Sequence, residues 1–584
     1  MRGLALGLWV SVGCSGGADR SKDAAPVGGP AAGVEAVAAP TVPPLPALDA
    51  ALIRRHIAAL SDDAMEGRRP GTPGGAAAVV YVREQMQALG LSPAGEDGGW
   101  TQTVPMRSVR LDPARSSLAL RRGTDEPMPL AEGERIVAVA MGPSGTTLVD
   151  APLYFVGYGV TAPEYDWDDY GDADLTGAIA VVLVGDPPVE DGRFDGPAMT
   201  YYGRWSYKFE RALAAGAEGC LVVHETKPAS YDWAVVRSSW SGERFDLRRP
   251  SGEPRPSLAV QGWIDRELGE RLAGFTGGDL ARWHARAMDP GFEPEPIGAD
   301  LVARLTTTER SFTDANVLGA VPGRTHPDQF VLVTAHWDHL GVDPDAAPGQ
   351  DAIFNGAIDN ASGVAGLLAL AVGLQARVAE GLGPGRSVLL LATTAEEQGL
   401  LGSRHYAEHP LVPRSSIVGV ANLDSMNVHG RTTAVSVTGR GRTTLEDVLE
   451  QVVAEQGRTV VGEARPEAGG YFRSDHFSFA RQGVPALDFH GGPALEHGGR
   501  AAGEALAHRR AERYHTVNDE LDESWTFEGT VQDVQALLEL VIRVAEAEAR
   551  PEWKPGFGPS AGGPVGSRSG DRSKVPPEPM RLVE

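Results

Sequence analysis

From about Asn316 to Arg550 the chain repeats one unit, a short apolar strand followed by a loop and an amphipathic helix. This repetition limits the available folds more than any other feature. Apolar runs over 330–335, 387–393, 418–423 and 484–489 have the length and β-branched content of strands, and helical periods over 363–378 and 444–456 lie between them. The alternation predicts an α/β fold, a mixed, mainly parallel sheet sandwiched by helices. In such sheets ligands gather beyond the carboxyl ends of the strands.

Just past those ends the same residue types recur. His336-Trp337-Asp338-His339 follows the first run, and Asp359-Asn360-Ala361-Ser362-Gly363 opens the next helix. Glu396-Glu397 follows the second run, Asp424 the third, and Tyr514-His515-Thr516 the last loop. Each has an ordinary structural explanation. Asp359 suits a helix cap, Glu396-Glu397 suits a helix first turn, and a lone histidine is usually a surface residue.

Gathered at one sheet edge, however, these carboxylates repel one another unless a cation sits among them. Divalent metals would supply the charge. His336, Asp359, Glu397, Asp424 and His515 form an N/O donor set suited to zinc, and one carboxylate bridging two ions would leave a position open on each. The helix motif H-E-x-x-H is missing, which excludes a thermolysin-type site. Gly558-Pro559-Ser560-Ala561-Gly562 matches G-x-S-x-G, but with no strand before it and Pro559 within it, it cannot form a nucleophile elbow.

Charge excludes another class. The 584 residues carry 53 Lys+Arg against 78 Asp+Glu, a formal net charge of −25, with no concentrated basic run. Such a surface repels phosphate backbones, so a nucleic-acid partner is not expected.

The ordered motifs resemble the co-catalytic di-zinc exopeptidases, the family of bacterial leucyl aminopeptidases, carboxypeptidase Q, glutamate carboxypeptidase II and the transferrin receptor. The likeness rests on His336-x-Asp338, Gly356-Ala357-x-Asp359-Asn360-Ala361-Ser362-Gly363, Glu396-Glu397-x-Gly399-Leu400-x-Gly402-Ser403, Asn422-Leu423-Asp424, Ser474-Asp475-His476 and Tyr514-His515-Thr516, and it extends over 48–550. It implies two Zn²⁺ per chain and peptide substrates. Asp359 would bridge, His336 and Asp424 would complete one site, and Glu397 and His515 the other. Glu396 would be the general base, and Asp338 would hold the His336 ring by its second nitrogen. Tyr471 and His476 are candidate substrate or oxyanion contacts, with a loop-bracing role for Ser474-Asp475-His476 as the alternative. Aminopeptidase activity is the expectation. A carboxypeptidase, a dipeptidase, a glutaminyl cyclase or a non-catalytic peptide-binding protein of the same fold are the competing readings.

The remaining regions divide as follows. Residues 1–14 have the order of an export signal, Arg2, an apolar stretch, then Ser11-Val12-Gly13-Cys14, which resembles a lipobox and makes Cys14 a candidate for lipidation. The chain is therefore expected to be exported, periplasmic or membrane-anchored. Residues 15–47 read as a flexible tether, 48–150 as the first part of the catalytic domain, 151–290 as an inserted β-rich module similar to the protease-associated domain, 300–549 as the catalytic domain proper, and 550–584 as a disordered tail. Cys220, in an apolar run, is expected to be a buried strand residue without a disulfide partner.

Overall fold

The computed structural model describes residues 45–189, 191, 193–240, 242–249 and 251–558. The export signal with Cys14, nearly all of the tether and the chain beyond 558 lie outside the described residues.

Two helices open the fold. α1 (Ala50–Leu60) is capped by the Asp49 carboxylate, which accepts from Ala51 N at 2.8 Å, and it buries Ile53, Ile57 and Leu60. α2 (Pro73–Ala88) is capped by Thr72 and starts with proline, whose missing N–H costs nothing at that position.

The turn between them is held by Arg68, which is fully buried. Its guanidinium donates to the carbonyls of Leu60, Trp337, Asn355 and Gly356 at 2.5–2.8 Å. Just before it, Gly67 has φ +61°, and a Cβ there would lie 2.4 Å from the Gly341 carbonyl oxygen. Only glycine permits that approach.

A second apolar core follows. Its strands β1 (Thr101–Leu111), β2 (Gly145–Phe155), β3 (Ile179–Leu183), β4 (Gly219–Val223) and β5 (Val260–Ile264) include a parallel run, β2–β3–β4–β5, with α3 (Trp205–Ala214) connecting β3 to β4. Cys220 is buried in β4 with a free thiol.

This core does not keep the boundaries expected for an insert over 151–290. Leu118, Leu120 and Ile136 already belong to it. It ends inside one long strand, β6 (Glu295–Val321), which pairs with β2 through Ala303↔Val149, with β1 through Asn316↔Gln102, and with the catalytic sheet through Val317↔Ala392. The position near residue 300 is thus mid-strand and not a linker. Thr308, Arg310, Ser311 and Thr313 are exposed along β6, and this polar interruption masks its continuity in the sequence.

The catalytic half is the expected α/β sandwich. Strands β7 (His326–His336), β8 (Arg386–Thr393), β9 (Ile417–Asn422) and β12 (Ala486–Gly491) are parallel in the order β8–β7–β9–β12. β6 flanks β8 antiparallel, and β10 (Ala434–Val437) with β11 (Thr459–Gly462) extends the other edge. Helices α4 (Ser362–Ala379), α5 (Leu401–Glu408), α6 (Leu445–Glu455), α7 (Gly499–Arg513) and α8 (Glu528–Glu546) complete the catalytic half.

α4 packs against α1, α8 and β7 and is apolar on every side because protein surrounds it. Residues Ala357–Ala379 reach the length and hydropathy of a membrane span, yet 94% of that window is buried in the fold. The tail also begins later than expected. Trp553 Nε1 donates to Gly483 O at 2.9 Å, and Lys554 pairs with Asp447 at 2.6 Å.

Replacing Arg68 with methionine leaves four buried carbonyls without their donor. The expected loss in unfolding free energy is about 3 kcal/mol or more, measured by urea denaturation. A loss below about 1 kcal/mol, the worth of an ordinary single hydrogen bond, would show that Arg68 does not hold this junction.

Candidate metal centre

Register brings the site together. His336 at the end of β7 pairs with Thr393 at the end of β8, and Trp337 N donates to Thr393 O at 2.9 Å. Leu423 N donates to Thr334 O at 2.8 Å. The residues after three parallel strands are therefore released at one level.

All five expected donors meet there. His336 Nε2 lies 3.4 Å from Asp359 Oδ1 and 3.5 Å from Asp424 Oδ1. His515 Nε2 lies 3.2 Å from Asp359 Oδ2 and 3.1 Å from Glu397 Oε2. Asp359 thus turns one oxygen to each imidazole. Both Nε2 atoms are buried without a hydrogen-bond partner. Two N/O ligands held about 2.1 Å from a tetrahedral ion stand about 3.4 Å apart, which is the spacing found. The set therefore fits divalent metals of the zinc type.

Glu396 Oε2 lies 3.9 Å from His336 Nε2, and His336, Glu396 and Asp424 make one group able to hold a cation. The second group brings in a residue the sequence reasoning passed over. His339 is fully buried, its Nδ1 lies 2.6 Å from Glu397 Oε1, and it clusters with Asp359 and Glu397. Its only sequence signal is a second histidine in His336-Trp337-Asp338-His339.

The surrounding shell differs from expectation at Asp338. His336 Nδ1 meets the Asp338 main-chain carbonyl at 3.2 Å, while the carboxylate stands 3.7 Å away. That carboxylate instead accepts from Glu396 N at 3.0 Å and Glu397 N at 3.4 Å. Asp338 holds the glutamate loop, and its carbonyl orients the imidazole.

Asp519 was likewise not anticipated. It is buried, and its carboxylate accepts from Ile358 N and Asp359 N at 3.0 Å each. Asn360 ties the Asp359 loop to the Asp424 loop by donating to Leu423 O and accepting from Ser425 N and Gly363 N. A Cβ on Gly363 would fall 2.2 Å from Asn360 Oδ1, which accounts for the glycine.

Ser474 Oγ donates to Asp424 Oδ2 at 2.8 Å, and Asp475 accepts from Thr393 Oγ1 at 2.5 Å. The loop-bracing alternative therefore describes these two residues. His476 is buried with both ring nitrogens unpartnered, edge-on to Tyr471 at 4.9 Å. Tyr471 lies beneath the Arg442 guanidinium, 4.5 Å away, and the charges around its phenol are Arg442, Glu446 and Asp488, not the strand-end carboxylates. Asp195 from the second core meets Arg442 at 3.3 Å, so the two halves share this wall. Tyr514, more than half exposed, stacks on His515 at 3.8 Å at the edge of the cluster.

The adjacent glutamates are pushed in opposite directions. Burial, reinforced by Asp424 and Glu397, holds the Glu396 carboxyl well above its usual range despite His336. Burial also acts on Glu397, but His515 and His339 outweigh it and hold that group at about 2. Asp359, likewise buried, is kept low by His336 and His515.

A mainly parallel α/β sheet thus carries this donor set at its carboxyl edge. Residues 316–538 match the family described as Peptidase family M28. Aminopeptidase YwaD of Bacillus subtilis (strain 168) is 35% identical over 308 residues, 52% of this chain and 50% of that protein. Aminopeptidase NAALADL1 of Mus musculus is 31% identical over 245 residues, 40% and 30% of the two chains. The matched stretch thus spans half or less of these relatives' length. A solved aminopeptidase from Aneurinibacillus sp. strain AM-1 aligns with 91% of this chain and 97% of its own at 19% identity and TM-score 0.49.

The Glu397 shift has a pH consequence. Its pKa is depressed from 4.5 to about 2, so its charge stabilises the folded state above pH 4.5, and this contribution is lost as pH falls toward 2. Metal-free Glu397→Gln protein should therefore show a shallower loss of stability between pH 4.5 and 2 than metal-free wild type. Parallel acid-denaturation curves would refute the assignment.

Proposed function

We propose that this chain is a zinc-dependent exopeptidase, an aminopeptidase that hydrolyses N-terminal residues from peptides. The observation that carries the reading is Asp359, whose two oxygens face His336 and His515 at 3.4 and 3.2 Å with a further carboxylate beyond each imidazole. Two Zn²⁺ are read into this frame. His336 and Asp424 would hold one, Glu397 and His515 the other, and Asp359 both. Bound zinc supplies Lewis acidity, acidifying a water and polarising the scissile carbonyl.

The chain's own groups divide the remaining work. Glu396 is the general base, because it is the carboxylate whose surroundings favour holding a proton, while its neighbour Glu397 stays ionised. It accepts the proton of the attacking water and returns it to the leaving amine. Asp338 fixes the main chain of both glutamates, and Ser474 fixes Asp424. Tyr514, stacked on His515, is placed to contact substrate at the mouth of the site. The aminopeptidase direction is supported by the names of the mouse and Bacillus relatives.

Glu396→Gln should keep its fold and close to two zinc ions per chain, while kcat on a free-amine peptide falls about 10²- to 10⁴-fold. Retained turnover would remove Glu396 as the base. In the wild type, chelation should abolish hydrolysis and zinc should restore it, and N-acetylation of the peptide should block it. Faster cleavage of the blocked peptide would point to a carboxypeptidase.

The proposal includes export and a tether at Cys14, supported by the order of residues 1–14. Cys14→Ser should move the protein from the membrane to the soluble fraction, and unchanged fractionation would refute the tether.

A further inference from the structure

α7, which delivers Tyr514 and His515, is unlike the other long helices. None of its 15 residues is buried, and it carries four arginines against two glutamates in a chain whose net charge is −25. Arg500 pairs with Glu504 at 2.9 Å, and Arg513 pairs with Asp522 at 2.7 Å while lying over the Trp525 ring. Arg509 and Arg510 have no ion-pair partner among the described residues.

These two guanidiniums line a cavity of about 410 Å³ together with Ile358, His429, Arg513, Asp522, Ser524 and Trp525, and the one carboxylate among them, Asp522, is taken up by Arg513. Two of its walls adjoin the metal centre along the chain. Ile358 precedes Asp359, and Arg513 stands two residues before His515. Arg509 lies close enough to depress His429, after burial, and His490 feels both Arg510 and Asp424, so the charged wall and the carboxylate cluster are neighbours.

Unpaired like charges beside one another are mutually destabilising, and each guanidinium presents a planar fork of donors that matches a carboxylate bidentately. A carboxylate entering this cavity would relieve the repulsion. We infer that Arg509 and Arg510 form a specificity subsite for a substrate carboxylate, so that the enzyme favours peptides presenting a negative charge beside the scissile bond. The inference rests on the exopeptidase reading, since that reading supplies the peptide whose carboxylate the cavity would take. The carboxylate has two possible sources, an acidic side chain or the C-terminus of a short peptide.

The test uses the full zinc-loaded chain and four tripeptides, Glu-Ala-Ala and Leu-Ala-Ala, each with a free or an amidated C-terminus. Wild type should show higher kcat/KM for peptides carrying the recognised carboxylate. The Arg509→Gln/Arg510→Gln variant should reduce the charged-to-neutral ratio at least about tenfold, the worth of a lost charge-assisted pair. A preference for leading glutamate identifies the side chain as source, and a preference removed by amidation identifies the C-terminus. Unchanged ratios in both arms overturn the subsite.

Binding supplies a second readout. Calorimetry with the Glu396→Gln background should show the same peptides binding at least about tenfold more weakly when both arginines are replaced, with salt weakening only the background that retains them. Equal affinities overturn the proposal. If wild type hydrolyses none of the four peptides, the exopeptidase reading fails, and the binding arm still decides the subsite. Because α7 is exposed, the double variant should keep the wild-type melting temperature. If it does not, Arg509→Lys/Arg510→Lys, which retains charge without the planar fork, should still lower the ratio, and an unchanged ratio in that variant refutes bidentate recognition.

Discussion

Gathering Asp338, Asp359, Glu396, Glu397 and Asp424 around one buried sheet edge is the electrostatic constraint on which the rest of this molecule depends. Carboxylates out of water repel strongly and lose hydration, so each must be offset by donors, imidazoles or cations. The fold meets this in layers. Two imidazoles face Asp359 from opposite sides, main-chain amides serve Asp338 and Asp519, and Ser474 serves Asp424. Arg68 contributes in another way. Its guanidinium is committed to four carbonyls, and its charge is sensed by Asp338, Asp359, Glu397 and Asp519. Burial lowers it to about 10 even so, which leaves it cationic at neutral pH.

Rigidity at the site follows from shared strands. β6 runs without a break from the second core into the catalytic sheet, so the wall built by Asp195 and Arg442 above Tyr471 is not a separately hinged module. The same continuity means that residues 112–150, which read as part of the catalytic half, pack with the second core. Periodicity could not show this, because a long edge-exposed strand alternates irregularly and resembles several short ones.

His336, Glu397 and Asp424 were legible in the chain because each ends or closely follows an apolar strand, and parallel strands of equal register must release their next residues together. Asp359, at a helix start, and His515, beyond α7, were picked out by residue type and by the motifs around them. His339 and Asp519 could not. Both lie on loops whose course depends on packing between distant segments, Asp519 approaching Ile358 and Asp359 from 160 residues away. The role of Asp338 changed for the same reason, since a carboxylate two residues from His336 could reach either the ring or the glutamate loop, and only the loop's path puts the amides within bonding distance.

By itself the sequence determined the α/β class, the buried cysteine strand and the edge at which chemistry collects, because these depend on local period and on which residues follow a strand. The tertiary structure decided which oxygen of Asp359 faces which imidazole, which glutamate is driven up and which down, and that Arg509 and Arg510 line one cavity without an ion-pair partner among the described residues. Those are matters of distance and dielectric between residues remote in the chain, and no local pattern encodes them.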